Sequence, residues 1–238
     1  MKHGLLAVLI CSAIGAGNVA AAEKEERYAV DSTMVIRSLG SDIGTVIAKM
    51  AGTSTDSDLR ADVDVHVGWW FIAFSLKSRE TASIRGGKLV AYHKTIDTGG
   101  HRREISGEHN GNRFTIVISD RGKTERREFP VKSYDATNME YPEVALTPGE
   151  TRKMRMIDLE NAEIVDREYR HVAEEHAVVS GQAARVVVSD SVDKYAEYRR
   201  WTMVVKGLPV VIRQEGREKT GFFNPAYSVR QTRATAGL

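Results

Sequence analysis

Three residues have the types and the spacing to do chemistry: Asp62, Asp64 and His66, at alternate positions of one run. On an extended strand they share a face at steps of roughly 7 Å. Two carboxylates and an imidazole there could seed a divalent-metal site or an acid–base pair, given further ligands from other segments. Residues two apart on a sheet face normally diverge into solvent, so the pattern is read first as an ordinary solvated face. His93, His101 and His109 fall in neighbouring turns or strands, and imidazole is the commonest metal ligand. Met154 and Met156 share a strand face that would suit Cu(I), although methionine more often fills gaps in a core. For nucleophilic or phosphate chemistry the sequence has no Gly-x-Ser-x-Gly elbow, no glycine-rich phosphate loop and no His-Glu-x-x-His. Its sole cysteine is Cys11. The sequence therefore predicts no catalytic residue, no metal and no cofactor.

The aromatic residues are the better functional candidates. Trp69, Trp70, Phe71, Ile72 and Phe74 crowd one stretch, with Trp201, Phe222 and Phe223 distant in sequence. From about Leu59 to Lys77 the pattern reads as a single strand. Val63, Val65, Val67, Trp69 and Phe71 fall on one face; Asp62, Asp64 and His66 give way to Trp70, Ile72 and Phe74 on the other. Gly68 marks the change and is a candidate bulge. A strand half-solvated at first and apolar on both faces later suggests a curved sheet whose concave end is covered by a helix, a loop or a ligand. Trp69, Trp70, Phe71, Ile72 and Phe74, with Trp201 and Phe223 across from them, are the candidate lining of an apolar pocket.

The elements that must position these residues are strands. Turn signals recur at Gly40, Gly86-Gly87, Gly99-Gly100, Asn110-Gly111, Asp120-Arg-Gly122, Ser180-Gly181, Lys206-Gly207 and Glu215-Gly216. Such dipeptides supply the positive φ of tight hairpins. Between them apolar residues alternate: Tyr28, Val30 and Ser32 share a face, as do Leu89, Ala91 and His93, and Phe114, Ile116 and Ile118. Val131–Glu150 carries Pro130, Pro142 and Pro148 about it and reads as a long connection with a helical turn near Ala136–Glu140. Asp158–His176 fits either a helical stripe or a polar edge strand, and its context favours strand.

Residues 1–22 have a secretory signal's order: the basic start Met1-Lys-His3, an apolar run from Gly4 to Gly17, and Ala20-Ala-Ala22 before Glu23. Cleavage after Ala22 would send Glu23–Leu238 to the periplasm as a single β-rich domain. Lys and Arg number 34 against 32 Asp and Glu, and the two signs are interleaved, as in Arg121–Glu128. That argues against a nucleic-acid partner, which would want one basic face. The run Val67–Phe74 is far short of the roughly 20 apolar residues of a membrane helix.

The order of elements resembles a family. A strand, the turn Gly40-x-x-Ile43-Gly44 and a second strand open the chain. A long apolar run leads to Glu80, then Gly87-Lys-Leu-Val90. Arg199-Arg-Trp201 precedes Gly207-Leu-Pro-Val-Val-Ile212 and a closing strand. This resembles exported bacterial β-rich proteins grouped as domains of unknown function and, more distantly, the curved-sheet fold of periplasmic lipoprotein carriers. The resemblance implies a mainly β protein, a strongly curved antiparallel sheet or half-barrel with one or two short helices, and a concave face that in the carriers holds acyl chains. The expected function is non-catalytic binding of a lipid or other hydrophobic ligand. A cell-envelope interaction or scaffold module with a self-filled core is the alternative. A hydrolase or metal protein using Asp62, Asp64 and His66 is the second alternative.

Overall fold

The computed structural model describes residues 28–69, 72–179, 182–219 and 226–237. Alternating sequence becomes alternating burial: in β1 (Tyr28–Ser38) the even-numbered residues are buried and the odd-numbered ones face outward. There follow β2 (Ser41–Gly52), β3 (Ser57–Trp69), β4 (Ile72–Arg85), β5 (Lys88–Thr98), β6 (His101–His109), β7 (Arg113–Asp120) and β8 (Lys123–Pro130). The second half holds β9 (Ala136–Thr137), β10 (Thr151–Asp158), β11 (Glu163–Val179), β12 (Gln182–Val192), β13 (Ala196–Val205), β14 (Leu208–Glu218) and β15 (Tyr227–Gly237). All fifteen join one curved sheet in the order β8-β7-β6-β5-β4-β3-β2-β1-β15-β14-β13-β12-β11-β10-β9. Pairing is antiparallel throughout except between β9 and β10. The chain runs outward to β8, returns to the opposite edge, and meanders back until β15 closes on β1. Helix is confined to two 3-10 turns, Val131–Ser133 and Pro142–Ala145, among the described residues. No helix there is long and apolar enough to cross a membrane.

Most of the glycine signals are hairpin turns. Gly40, Gly86, Gly87, Gly99, Gly100, Gly111, Gly122 and Gly207 all have positive φ. Glu215-Gly216 is an exception. Gly216 lies inside β14, where a Cβ would stand 2.5 Å from the Glu197 carbonyl oxygen, so this glycine serves close strand approach and not a turn. Ser180-Gly181 lies outside the described residues, with Val179 paired to Gln182 on either side.

Three further expectations are corrected. Leu59–Lys77 is not one strand bent at Gly68: the chain reverses between Trp69 and Ile72, which sit opposite each other in the β3–β4 hairpin. No Asn-Gly or similar dipeptide marks this reversal, and apolar residues run straight through it. The helical turn near Ala136–Glu140 is instead β9, with the 3-10 turns on either side. In β5 the buried set is Leu89, Tyr92, Lys94 and Ile96, because an irregular register near Ser83 and Ile84 breaks strict alternation. Asp158–His176 is strand, as its context suggested: β10 and β11 joined by a turn.

The chain's own connections pack into the core. Met139, Tyr141 and Val144 from the connection before β10 belong to the main core, with Leu159 and Ala162 from the β10–β11 turn. That turn is held by Asp158, whose Oδ1 accepts the N–H groups of Glu160 and Asn161. The long connection read from the sequence thus packs as a plug.

Candidate functional site

The second half of the sheet buries a polar network. Directly opposed pairs place Tyr198, Arg200 and Gln214 beside Ser189 and Ser191 on β12 and His171 and Tyr169 on β11. Arg200 is 2% exposed. Its guanidinium donates to Glu143 Oε1 at 2.7 Å and to Gln214 Oε1 at 3.0 Å, and packs between the rings of Tyr141 and Tyr198. Arg167 donates to Asp193 Oδ2 and to the Tyr198 hydroxyl. Gln214 Nε2 donates to the Tyr227 hydroxyl at 2.8 Å. Burial raises the Tyr227 phenol, with the Glu218 charge adding to the shift.

The plug ties this network to the first half. Glu140 accepts from the Leu89 N–H and from Lys88 Nζ, while Glu143 holds Arg200 three residues later. Arg185 donates to the Val144 carbonyl. At the other end Lys94, 4% exposed, donates to Glu160 of the β10–β11 turn and lies 4.0 Å from Glu80. Tyr92 donates to Glu80 at 2.6 Å. Burial raises the Glu80 carboxyl against the pull of Lys94. Glu218, half-buried, is pushed up to about 8 by burial and by the charges of Glu160, Asp193 and Asp158, with Arg167 opposing.

His171 and Ser189 form a directly opposed pair across β11 and β12. His171 Nδ1 stands 3.1 Å from the Leu146 carbonyl, which assigns the proton to Nδ1 and leaves Nε2 as the lone-pair nitrogen. Nε2, Ser189 Oγ and Ser191 Oγ have no hydrogen-bond partner among the described residues. A basic nitrogen beside a hydroxyl is the raw material of acyl transfer. However, His171 and Ser189 are 2% and 1% exposed, and neither lines the cleft that reaches β1 or the cleft beside β10.

The larger cleft, about 1020 Å³, is open and crosses the second half of the sheet to reach β1. Its charges are neutralised in cross-strand pairs. Asp190 accepts from Arg170 at 2.6 Å and from Arg199 at 2.7 Å, and Arg217 donates to Glu197 at 2.5 Å. The Arg199 hydrogen bond leads in holding the Asp190 carboxyl below its ordinary range.

The charged residues singled out from sequence each sit in their own local pairing among the described residues. Asp62 is engaged by Arg79 at 2.6 Å and Arg60 at 3.1 Å. These bonds outweigh burial and keep its carboxyl low. Asp64 faces His66 at 2.7 Å and Lys77 at 3.6 Å. His93 lies 3.5 Å from Glu104, His101 pairs with Asp120, and His109 Nδ1 accepts the Gly111 N–H. No three His, Cys, Asp or Glu side chains converge on a metal position among the described residues. Met156 sits in a small second core with Met154 against it. Phe74 and Trp201 are partly buried against the main core, and Arg213 stacks on the Trp201 ring at 4.3 Å. Trp69 and Ile72 flank the β3–β4 reversal; Trp70, Phe71 and Phe223 lie outside the described residues.

Sequence reasoning missed Arg167, Arg200, Asp193 and Glu218. One signal was available: Ala196, Tyr198 and Arg200 share a strand face, so a tyrosine and an arginine stand where alternation calls for core.

A family model described as a domain of unknown function, DUF6134, matches residues 34–202. No curated protein matches the chain. Among solved structures, a beta-barrel-like protein of the domain of unknown function DUF1849 from Brucella abortus is similar in fold, with a TM-score of 0.60. The match is 7% identical and covers 90% of this chain and 98% of that one.

Proposed function

The chain belongs to the family described as a domain of unknown function, DUF6134, and on that premise we propose that it is a non-catalytic interaction or scaffold module of the cell envelope. The leader ending at Ala22 would direct its export, and N-terminal sequencing from an exporting host should begin at Glu23. One observation carries the reading: the core of the sheet is occupied by the chain's own Met139, Tyr141, Val144, Leu159 and Ala162. A carrier of acyl chains needs that space. The plug is also anchored on both sides, through Glu140 to the first half and Glu143 to the second. Working surface is then outer surface, and the charged cleft across β11 to β15 is a concavity on it.

The hydrophobic-ligand reading rests on Phe74 and Trp201, half-buried and available to a ligand at the rim. Titration with a fluorescent fatty acid separates the two. The module reading expects no saturable binding and the same weak signal after Trp201→Ala. Stoichiometric binding that Trp201→Ala or Phe74→Ala weakens would replace it with the carrier reading. A photo-crosslinker at the Arg199 position should form discrete protein adducts in the exporting host, and one at buried Ile105 should form none.

A further inference from the structure

Several strand stretches have no partner on one side among the described residues, and three of these edges are not protected alike. Edge strands invite pairing with other chains and are usually blunted by charge, proline or shortness. β8 exposes Glu125, Arg126, Arg127 and Glu128 and ends at Pro130. β9 is two residues long. The third edge belongs to β15. It pairs with β14 only from Tyr227 to Arg230, opposite Gly216 to Arg213. Beyond that fork β14 stays with β13, and β15 runs on to Gly237 paired only with β1. Its far side from Gln231 onward is paired with no strand among the described residues. The residues there are Gln, Thr, Arg, Ala, Thr, Ala and Gly, with no proline and no alternating charge to repel a newcomer.

Two arginines mark this edge. Arg230 stands directly opposite Arg213 at the fork, a like-charge pair that costs stability. Arg213 is engaged by Glu215 and by the Trp201 ring. Arg230 and Arg233 are exposed and have no ion-pair or hydrogen-bond partner among the described residues. Three residues apart, they would ordinarily face opposite ways. The irregular register between Thr33 and Met34 sets Arg230 opposite Val35 and Arg233 opposite Thr33, two positions apart on β1. Both arginines therefore belong to one face, one strand repeat of roughly 7 Å apart.

We propose that the free edge of β15 from Gln231 to Gly237 accepts an extended acidic segment of another protein as an added strand, with carboxylates two residues apart meeting Arg230 and Arg233. Main-chain hydrogen bonds would supply affinity, and the arginine pair would supply register and charge preference. This rests on the interaction-module reading and names its partner's chemistry.

The test uses a fluorescein-labelled peptide, Thr-Val-Glu-Val-Glu-Val-Thr, with blocked ends, followed by anisotropy against the mature chain. Saturable binding is expected, weakened at least about tenfold, or 1.4 kcal/mol, in the Arg230→Glu/Arg233→Glu variant. Both positions are exposed and Arg230→Glu relieves the repulsion with Arg213, so that variant should melt no lower than the parent. A peptide N-methylated at every residue keeps its charge but has no backbone N–H to donate along either edge, and it should not bind. The proposal is overturned if no binding is seen, if the N-methylated peptide binds equally, or if a Lys-for-Glu peptide binds as well. It is also overturned if sedimentation shows a dimer that the double variant dissolves, since a second copy then occupies the edge. Failure here with adducts persisting at the Arg199 position would leave the module reading intact, whereas loss of those adducts would end that reading too.

Discussion

The two halves of this sheet bury different chemistry. From β1 to β8 the concave side is aliphatic and aromatic, with residues such as Ile36, Ile84, Ile105, Phe114 and Ile116 nearly inaccessible. Glu80 and Lys94 interrupt it; Lys94 reaches Glu160 of the second half and lies 4.0 Å from Glu80. From β11 to β15 the equivalent positions include Arg167, Tyr169, His171, Ser189, Tyr198, Arg200 and Gln214. The first half is stabilised by removing apolar surface from water, which needs no specific partner. The second must satisfy each buried group with a particular other group, because an unpaired one costs its full desolvation. The first half should accordingly tolerate volume-conserving change, and the second should not tolerate losing one member of a pair.

The sharpest way to break this comparison is the Arg200–Glu143 pair. Arg200→Ala should cost about 3–5 kcal/mol in denaturant unfolding, because Glu143 is left buried and unpaired. Replacing both residues with Met should recover most of that loss. If the single change costs under about 1 kcal/mol, the polar half is not held by its pairs. In the first half Ile116→Ala should cost about 2–4 kcal/mol by cavity formation, and Ile116→Leu should be nearly neutral.

A pH series separates the halves further. Glu218 titrates near 8 when folded, above the ordinary glutamate value of 4.5. A raised carboxylic pKa contributes stability fully present below the ordinary value and lost as pH rises through the folded one. Stability should therefore decline between about pH 4.5 and 8, and Glu218→Gln should flatten that decline. Asp190 and Asp62 have the opposite sign: lowered when folded, they add stability at neutral pH that is lost on acidification. A slope unchanged by Glu218→Gln would show that its charged neighbours do not press on it. The smallest effect expected is at Asp62→Asn, within about 0.5 kcal/mol, because its pairs with Arg60 and Arg79 are solvent-exposed.

How much was legible follows the same division. Alternation and turn glycines were enough to read the meander, since Tyr28, Val30, Phe114, Ile116 and Ile118 obey a local period and are buried as that period requires. Long-range pairing has no local trace. Arg200 and Glu143 are 57 residues apart, Lys94 and Glu160 are 66 apart, and nothing near any of the four announces its partner. The prolines marked a connection but not where it packs, because connections usually run over the surface. It can be buried because Glu140 and Glu143 find specific donors inside. The β3–β4 reversal was missed because its apolar residues continue through the turn without a turn dipeptide.

The central claim is that the concave side is filled by the chain itself and that the protein works from its outer face. Native mass spectrometry of protein purified gently from an exporting host tests it most directly. The account predicts the mass of the polypeptide from Glu23 to Leu238 and nothing more. A stoichiometric adduct in the lipid mass range, released by organic solvent and rebound by the refolded chain, would contradict it.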